Sequence, residues 1–291
     1  MIVTSVGCFD LGEEGEASEL IIDPNWPEED FHAIWGTGSS NLYVVGSSGI
    51  IMRFDGTEWR ESENMDTRHL HAIWGAAPNN IFAAGQSGVI LNFNSSEWSV
   101  METPSTHTLN GIWGSSSTNL FAVGVQGAIL HYDGVEWREM DSPVSQEITA
   151  VWGLSENFIL AVTREGFSGS ILLYDGTEWT VIESGTPPLY NIWGSSEENI
   201  YAVGSGGTIL HFDGVEWTSD ISRTERGLYG IWGNSDSNIF AVGLDGVVVH
   251  YNGEFWKVTG PVHTPVTLVD VWGAFPDFVI AVGARGTIIQ P

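Results

Sequence analysis

Seven Trp-Gly pairs recur along the chain, at Trp35, Trp74, Trp113, Trp152, Trp193, Trp232 and Trp272, spaced by 39, 39, 39, 41, 39 and 40 residues. A near-constant period of this length means stacked supersecondary units, and it constrains the fold more than any single motif does. The third copy shows the unit: Leu109 to Gly114 (LNGIWG), Asn119 to Gly124 (NLFAVG), Ala128 to Gly134 (AILHYDG), then Glu136-Trp137. Each copy holds four short runs rich in β-branched and aromatic residues with turn residues between them, which predicts four strands per period. Four-stranded antiparallel sheets repeated in this way close radially around a channel. The expected fold is all-β, a seven-bladed β-propeller with four antiparallel strands per blade.

Turn residues suggest the connections. Asp55-Gly56, Asp133-Gly134, Asp175-Gly176, Asp213-Gly214 and Asn252-Gly253 stand between the third and fourth runs and predict tight type I′ hairpins. A G-x-x-G element at Gly46/Gly49, Gly85/Gly88, Gly124/Gly127, Gly204/Gly207, Gly243/Gly246 and Gly283/Gly286 predicts a two-residue hairpin between the second and third runs. It is not a phosphate loop, because such a motif opens a helix and ends in Lys-Ser/Thr.

The closure of the ring can be read by counting. A second tryptophan follows each of the first six Trp-Gly pairs by 24 residues, or 27 in the fourth copy, at Trp59, Trp98, Trp137, Trp179, Trp217 and Trp256. The seventh would fall beyond Pro291, so an N-terminal strand is expected to complete the last blade. Outer tryptophans precede the next Trp-Gly by 14 to 16 residues, an interval that lands on Leu20 and not on Trp26. Glu19-Leu20 also mirrors pairs such as Glu136-Trp137. The strand is thus expected at about Glu19 to Asp23, with Leu20 in the place of Trp137 and Trp26 in a linker. This divides the chain into a leader, 1–18, and one propeller domain, 19–291.

With 37 acidic and 9 basic residues the formal charge is −28, a balance that repels phosphate backbones and anionic lipid. Nucleic acid is not an expected partner. No run approaches the roughly 18 to 20 apolar residues of a membrane span, so membrane insertion is not expected. Cys8 is the single cysteine, which excludes intramolecular disulfides. Ser5-Val6-Gly7-Cys8 resembles the end of a bacterial lipoprotein signal, but Met1 to Val6 leave no room for the charged start and apolar core that precede such a cysteine. The stretch favours export or the cell surface; otherwise the chain is expected in the cytoplasm.

The pattern WG, AVG, G-x-I-L-H-Y-D-G, x-W resembles bacterial propeller repeats related to BNR (Asp-box) proteins and to the photosystem II assembly-factor propellers, over about residues 19 to 291. A true Asp-box has one residue between Asp and Gly, where Asp133-Gly134 has none, so sialidase activity is not implied. The resemblance implies binding or scaffolding. Copies this regular would also suit a template for symmetric propeller design.

Residues that recur in every copy are expected to build the fold, and those that differ to carry function. The tryptophans therefore read as packing between blades. His131, His211 and His250 share one repeat position, but Leu173 interrupts the run, so strand-end hydrogen bonding is expected there and no metal site. Three residues before each Trp-Gly tryptophan, on the innermost strand, stand His32, His71, Asn110, Thr149, Tyr190, Tyr229 and Val269. The linkers from each fourth strand to the next first strand vary most, and they share a rim with the G-x-x-G turns. Arg68, Arg164, Arg223, Arg226 and Arg285, five of nine cations, fall on that rim. The candidate ligand-binding set is His32, His71, Asn110, Thr149, Tyr190, Tyr229, Arg68, Arg164, Arg226 and Arg285. The function expected is a monomeric, non-enzymatic module binding a protein, peptide or carbohydrate on the linker rim, with no cofactor and no metal. The alternative is a polysaccharide hydrolase or lyase using carboxylates at the channel mouth, though no catalytic constellation is identifiable.

Overall fold

The computed structural model describes residues 20–21, 28–261, 266–274 and 278–290. Seven four-stranded antiparallel sheets make a seven-bladed β-propeller. Blade three has the strand order of the repeat: Leu109–Ser116 innermost, then Asn119–Gly124, Ile129–Tyr132 and Trp137–Glu139. The blades are numbered by their Trp-Gly pairs.

Each second strand reads as an apolar run and not as an alternation, because both of its faces are covered by neighbouring blades. Phe121 and Val123 pack with Ile148, Ile159 and Trp179 of blade four, whereas Leu120 and Ala122 pack with Phe82 and Ile90 of blade two. The outer tryptophans complete these layers: Trp98, Trp137, Trp179 and Trp256 are buried. The Trp98 indole N–H donates to Ser62 Oγ at 3.2 Å and that of Trp256 to Asp220 Oδ2 at 3.0 Å, each on the preceding blade.

The inner tryptophans do a different job. Each lies on the glycine of the next Trp-Gly pair: Trp35 on Gly75, Trp74 on Gly114, Trp113 on Gly153, Trp152 on Gly194, Trp193 on Gly233, Trp232 on Gly273, and Trp272 back on Gly36. A methyl group at these glycines would stand between 2.5 Å (Gly75) and 3.1 Å (Gly36) from the indole. The ring of contacts closes only if every member lacks a side chain.

Both turn types differ from expectation. The connection after the third strand of blades one to six is a four-residue loop: in blade three Asp133 N–H donates to Glu136 O at 3.4 Å, and Asp133 Oδ1 accepts from Val135 N–H (2.9 Å) and Glu136 N–H (3.0 Å). Only Gly134 has positive φ, at 91°, so this is an Asx-stabilised loop and not a type I′ turn. The G-x-x-G element is a 3-10 turn, Val125–Gly127 in blade three, whose middle residue is left-handed (Gln126, φ 59°).

In blade seven, Leu20 and Ile21 pair antiparallel with Ile289 and Ile288. The spacing argument put Leu20 in the place of Trp137, and here the register differs. Ile289 faces Ala281 as Leu130 faces Ala122, and the outer partner of Leu130 is Glu139. Leu20 therefore takes the place of Glu139. The ladder sets this register, whereas counting assumed that the connection to Phe31 has the length of the other linkers. Cys8, the leader and Trp26 lie outside the described residues.

Two substitutions test the packing. Gly75→Ala should cost about 1–3 kcal/mol by overpacking against Trp35, and Trp137→Ala about 3–5 kcal/mol by leaving a cavity between blades two and three. Urea titrations read both; a parental midpoint for Gly75→Ala would refute the ring argument.

Candidate functional site

The linkers fold back over the 3-10 turns and make one rim. Ser47, Gln86 and Val125 N–H groups donate to Asp30, His69 and Thr108 carbonyls at 2.8 to 3.0 Å, and Asn64 and Thr103 side chains bond the Gly49 and Gly88 carbonyls at 2.7 and 2.9 Å. Where these linkers lead into the first strands stand the residues singled out for their variety.

Three of them bridge neighbouring blades. His32 Nδ1 donates to Leu70 O (2.8 Å), Asn110 Nδ2 to Ile148 O (3.0 Å) and Thr149 Oγ1 to Leu189 O (2.9 Å). The acceptors begin the first strand of the next blade, so these side chains seal the ring at its mouth. With a proton on Nδ1, His32 presents Nε2 as acceptor to the Ser47 hydroxyl at 3.4 Å. His71 stacks on His32, centroids 5.1 Å apart, and lies 6.5 Å from His69. Burial, followed by the neighbouring His32 and His69, pushes His71 down to about 4. It is neutral at pH 7.

On the other side of the mouth a polar and aromatic run crosses blades three to six. Asn110 Nδ2 donates to Glu147 Oε1 at 3.1 Å; Arg164 holds both Glu147 oxygens at 2.8 and 3.0 Å; and its guanidinium lies 5.8 Å from the centroid of Tyr190. Tyr190 and Tyr229 stand 4.9 Å apart, tilted by 45°. Burial, with Tyr190 beside it, raises the proton affinity of the Tyr229 phenol. Both side chains present polar tips on apolar rings.

The remaining arginines are dispersed along the rim. Arg68 pairs with Asp66, and Arg226 Nε lies 3.3 Å from Asp245. Arg285, left-handed at φ 56°, is placed by its backbone N–H on Asp30 Oδ1 at 2.8 Å. The structure thus gathers Asn110, Arg164, Tyr190 and Tyr229 through Glu147, joins His32 to His71, and spreads the rest. His131, His211 and His250 bond Asn119, Asn199 and Asn238 at 2.6, 2.8 and 2.7 Å, as strand-end partners. Among the described residues no group of three His, Cys, Asp or Glu is placed to hold a metal ion.

Sequence reading passed over two carboxylates. Glu147 is the hinge of the polar run, hidden in a variable linker. Asp270 sits where other blades have Ala, Gly or Asn, and that contrast was its signal. Its Oδ2 accepts from Ile34 N–H of blade one and its Oδ1 from Val271 N–H, each at 2.9 Å. Part of the residue remains accessible, yet protein surrounds the carboxylate, and burial pushes it up to about 7.

With this geometry in hand, comparison with solved structures finds the same fold elsewhere. YCF48 bound to D1 peptide is 15% identical, with a TM-score of 0.77 over 94% of each chain. YCF48 from Cyanidioschyzon merolae is 14% identical, with a TM-score of 0.75 over 94% of this chain and 98% of that one. The WD40 propeller domain of Doa1 is 10% identical, with a TM-score of 0.73 over 94% and 95%. These likenesses are of fold. No family model and no curated protein matches the chain.

Asp270 generates a pH prediction. Its folded proton affinity is above the ordinary aspartate value of 3.8, so the native state retains a proton that the unfolded chain releases. Stability from this group is complete below pH 4 and declines as pH rises to about 7. Asp270→Asn, the residue blade five uses at Asn191, should remove that slope. Relative to the parent, the variant should gain up to roughly 4 kcal/mol between pH 4 and 8; parallel stability curves would show that Asp270 ionises normally.

Proposed function

We propose that this chain is a non-enzymatic scaffold that binds a protein or peptide across the linker rim. The observation that carries the reading is the run Glu147–Arg164–Tyr190–Tyr229 at the channel mouth, built from residues that differ between copies of an otherwise uniform repeat. Paired tyrosines beside a guanidinium offer apolar area, hydrogen-bond tips and little entropy to lose, which is the chemistry enriched at protein-binding hot spots. The fold shared with YCF48, seen with a D1 peptide, and with WD40 propellers supports the same reading. A glycan is the other ligand class that stacked tyrosines accept. The hydrolase alternative needs two carboxylates about 5 to 9 Å apart and available for chemistry. At the mouth Glu147 is held by Arg164 and Asn110, and Asp270 by two backbone N–H groups. A charge of −28 on each chain opposes self-association, in keeping with a monomer.

Peptide and glycan arrays probed with the labelled protein test the proposal. Peptides should be retained, glycans should release no reducing ends, and Tyr190→Ala with Tyr229→Ala should weaken binding about tenfold or more with the unfolding midpoint unchanged. Asp133→Ala should do the reverse, lowering the midpoint without loss of binding. Binding to glycans alone, or indifference to the tyrosine pair, would overturn it.

A further inference from the structure

Blade four departs from the repeat at the rim. Its second and third strands run on to Arg164 and from Gly169, and the 3-10 turn is replaced by a hairpin. Glu165 and Ser168 exchange both backbone bonds, at 2.8 and 3.0 Å, around Gly166-Phe167. Gly166, at φ 58°, supplies the positive φ that a two-residue hairpin takes at its first central position. Below it the buried Thr163 hydroxyl accepts from Ser170 N–H at 2.9 Å. The fourth strand is also longer, Trp179–Thr186, and exposes Val181 and Ile182.

At the tip of this locked hairpin Phe167 is 98% exposed. The turn requires Gly166 but nothing aromatic after it, and Phe167 belongs to no core cluster. The hydrogen-bonded turn fixes the backbone that carries the ring, so the loop itself loses little freedom on binding, a condition that favours an anchor residue. The hairpin base is part of the mouth, since Arg164 reaches Tyr190 and Glu147.

The charge around it indicates the partner. Glu165 adjoins Phe167, and Glu183 lies on the long fourth strand. Pro187, just beyond that strand, lines a cavity of about 550 Å³ with Asp220, Ile221, Arg223 and Glu225 of blade five and the linker after it. Ile221 is exposed, and Arg164 is neutralised by Glu147. The exposed apolar residues Phe167 and Ile221 thus share this part of the rim with Glu165, Glu183, Asp220 and Glu225, while the Arg223 guanidinium lies 5.4 Å from the Phe255 ring centroid. Like-charge repulsion between two chains of −28 disfavours a second copy as the occupant.

We propose that Phe167 anchors a docking surface for an extended basic segment of a partner protein, an apolar side chain against Phe167 and Lys or Arg against the carboxylates of blades four and five. This rests on the rim-binding reading and adds the partner's chemistry. A phage-displayed random peptide library panned on the protein tests it. Selected peptides should combine net positive charge with an apolar residue and bind more weakly as salt is raised. Phe167→Ala should weaken a selected synthetic peptide about tenfold or more, Phe167→Leu much less, with unfolding midpoints unchanged. Acidic or neutral selected sequences, equal affinity for Phe167→Ala, or a Phe167-dependent dimer in sedimentation would each overturn the proposal. If binding is lost in the Tyr190/Tyr229 double variant but kept in Phe167→Ala, the rim reading stands and the anchor falls; a library yielding no binder sensitive to either removes both.

Discussion

The contact between each inner tryptophan and the next blade's Trp-Gly glycine is the constraint on which the molecule depends. Neighbouring blades meet where the outer atoms of an indole touch bare backbone, and Trp272 on Gly36 returns the chain of contacts to its start. Because the indole is wide and the glycine has no Cβ, both residues must recur together in every copy. The pair is thus a statement about blade separation, and seven such statements define a closed ring. Outside this ring the alternate faces of the second strands and the outer tryptophans fill the wedges between blades, so one core is distributed over seven seams.

The two rims follow from this arrangement in different ways. At one, an Asp or Asn side chain binds the two N–H groups that follow it, and the loop is complete within itself. At the other, glycine 3-10 turns lie so close to the returning linkers that a Cβ at Gly49 or Gly88 would meet the Asp66 or Ser105 carbonyl. Those linkers are held at their ends and free to vary between. Polar side chains leading into the first strands then divide their labour: His32, Asn110 and Thr149 tie blades together, while Tyr190, Tyr229 and Arg164 present rings and a guanidinium at the mouth.

Charge gives the same surface a direction. Among the described residues, three of the five arginines of the linker rim pair with the chain's own carboxylates, at Arg68–Asp66, Arg164–Glu147 and Arg226–Asp245. A rim rich in arginine by count is therefore not a basic rim. Asp270 shows the opposite treatment, a carboxylate packed at the seam of blades seven and one with backbone N–H donors and, among the described residues, no cation paired with it, which is why burial governs its proton affinity.

Period, strand number and blade count were legible in the residues, because a packing contact that must be repeated leaves an identical pair in each copy. So were the strand-end role of His131, His211 and His250 and the sharing of one rim by linkers and glycine turns. Turn geometry was not: Asp133-Gly134 has the composition of a type I′ hairpin, and only the carboxylate's bonds to Val135 and Glu136 show the longer loop. Nor was the placing of Leu20 opposite Ile289, since a ladder is set by its partners and a connection can change length without changing them. The interval of 27 residues in the fourth copy marked an insertion, but not that it raises Phe167 on a closed hairpin. By itself the sequence determined the ring, through local repetition; the tertiary structure decided which candidate residues meet, because Glu147 and Arg164 of blade four, Tyr190 of blade five and Tyr229 of blade six come together only when neighbouring blades pack side by side.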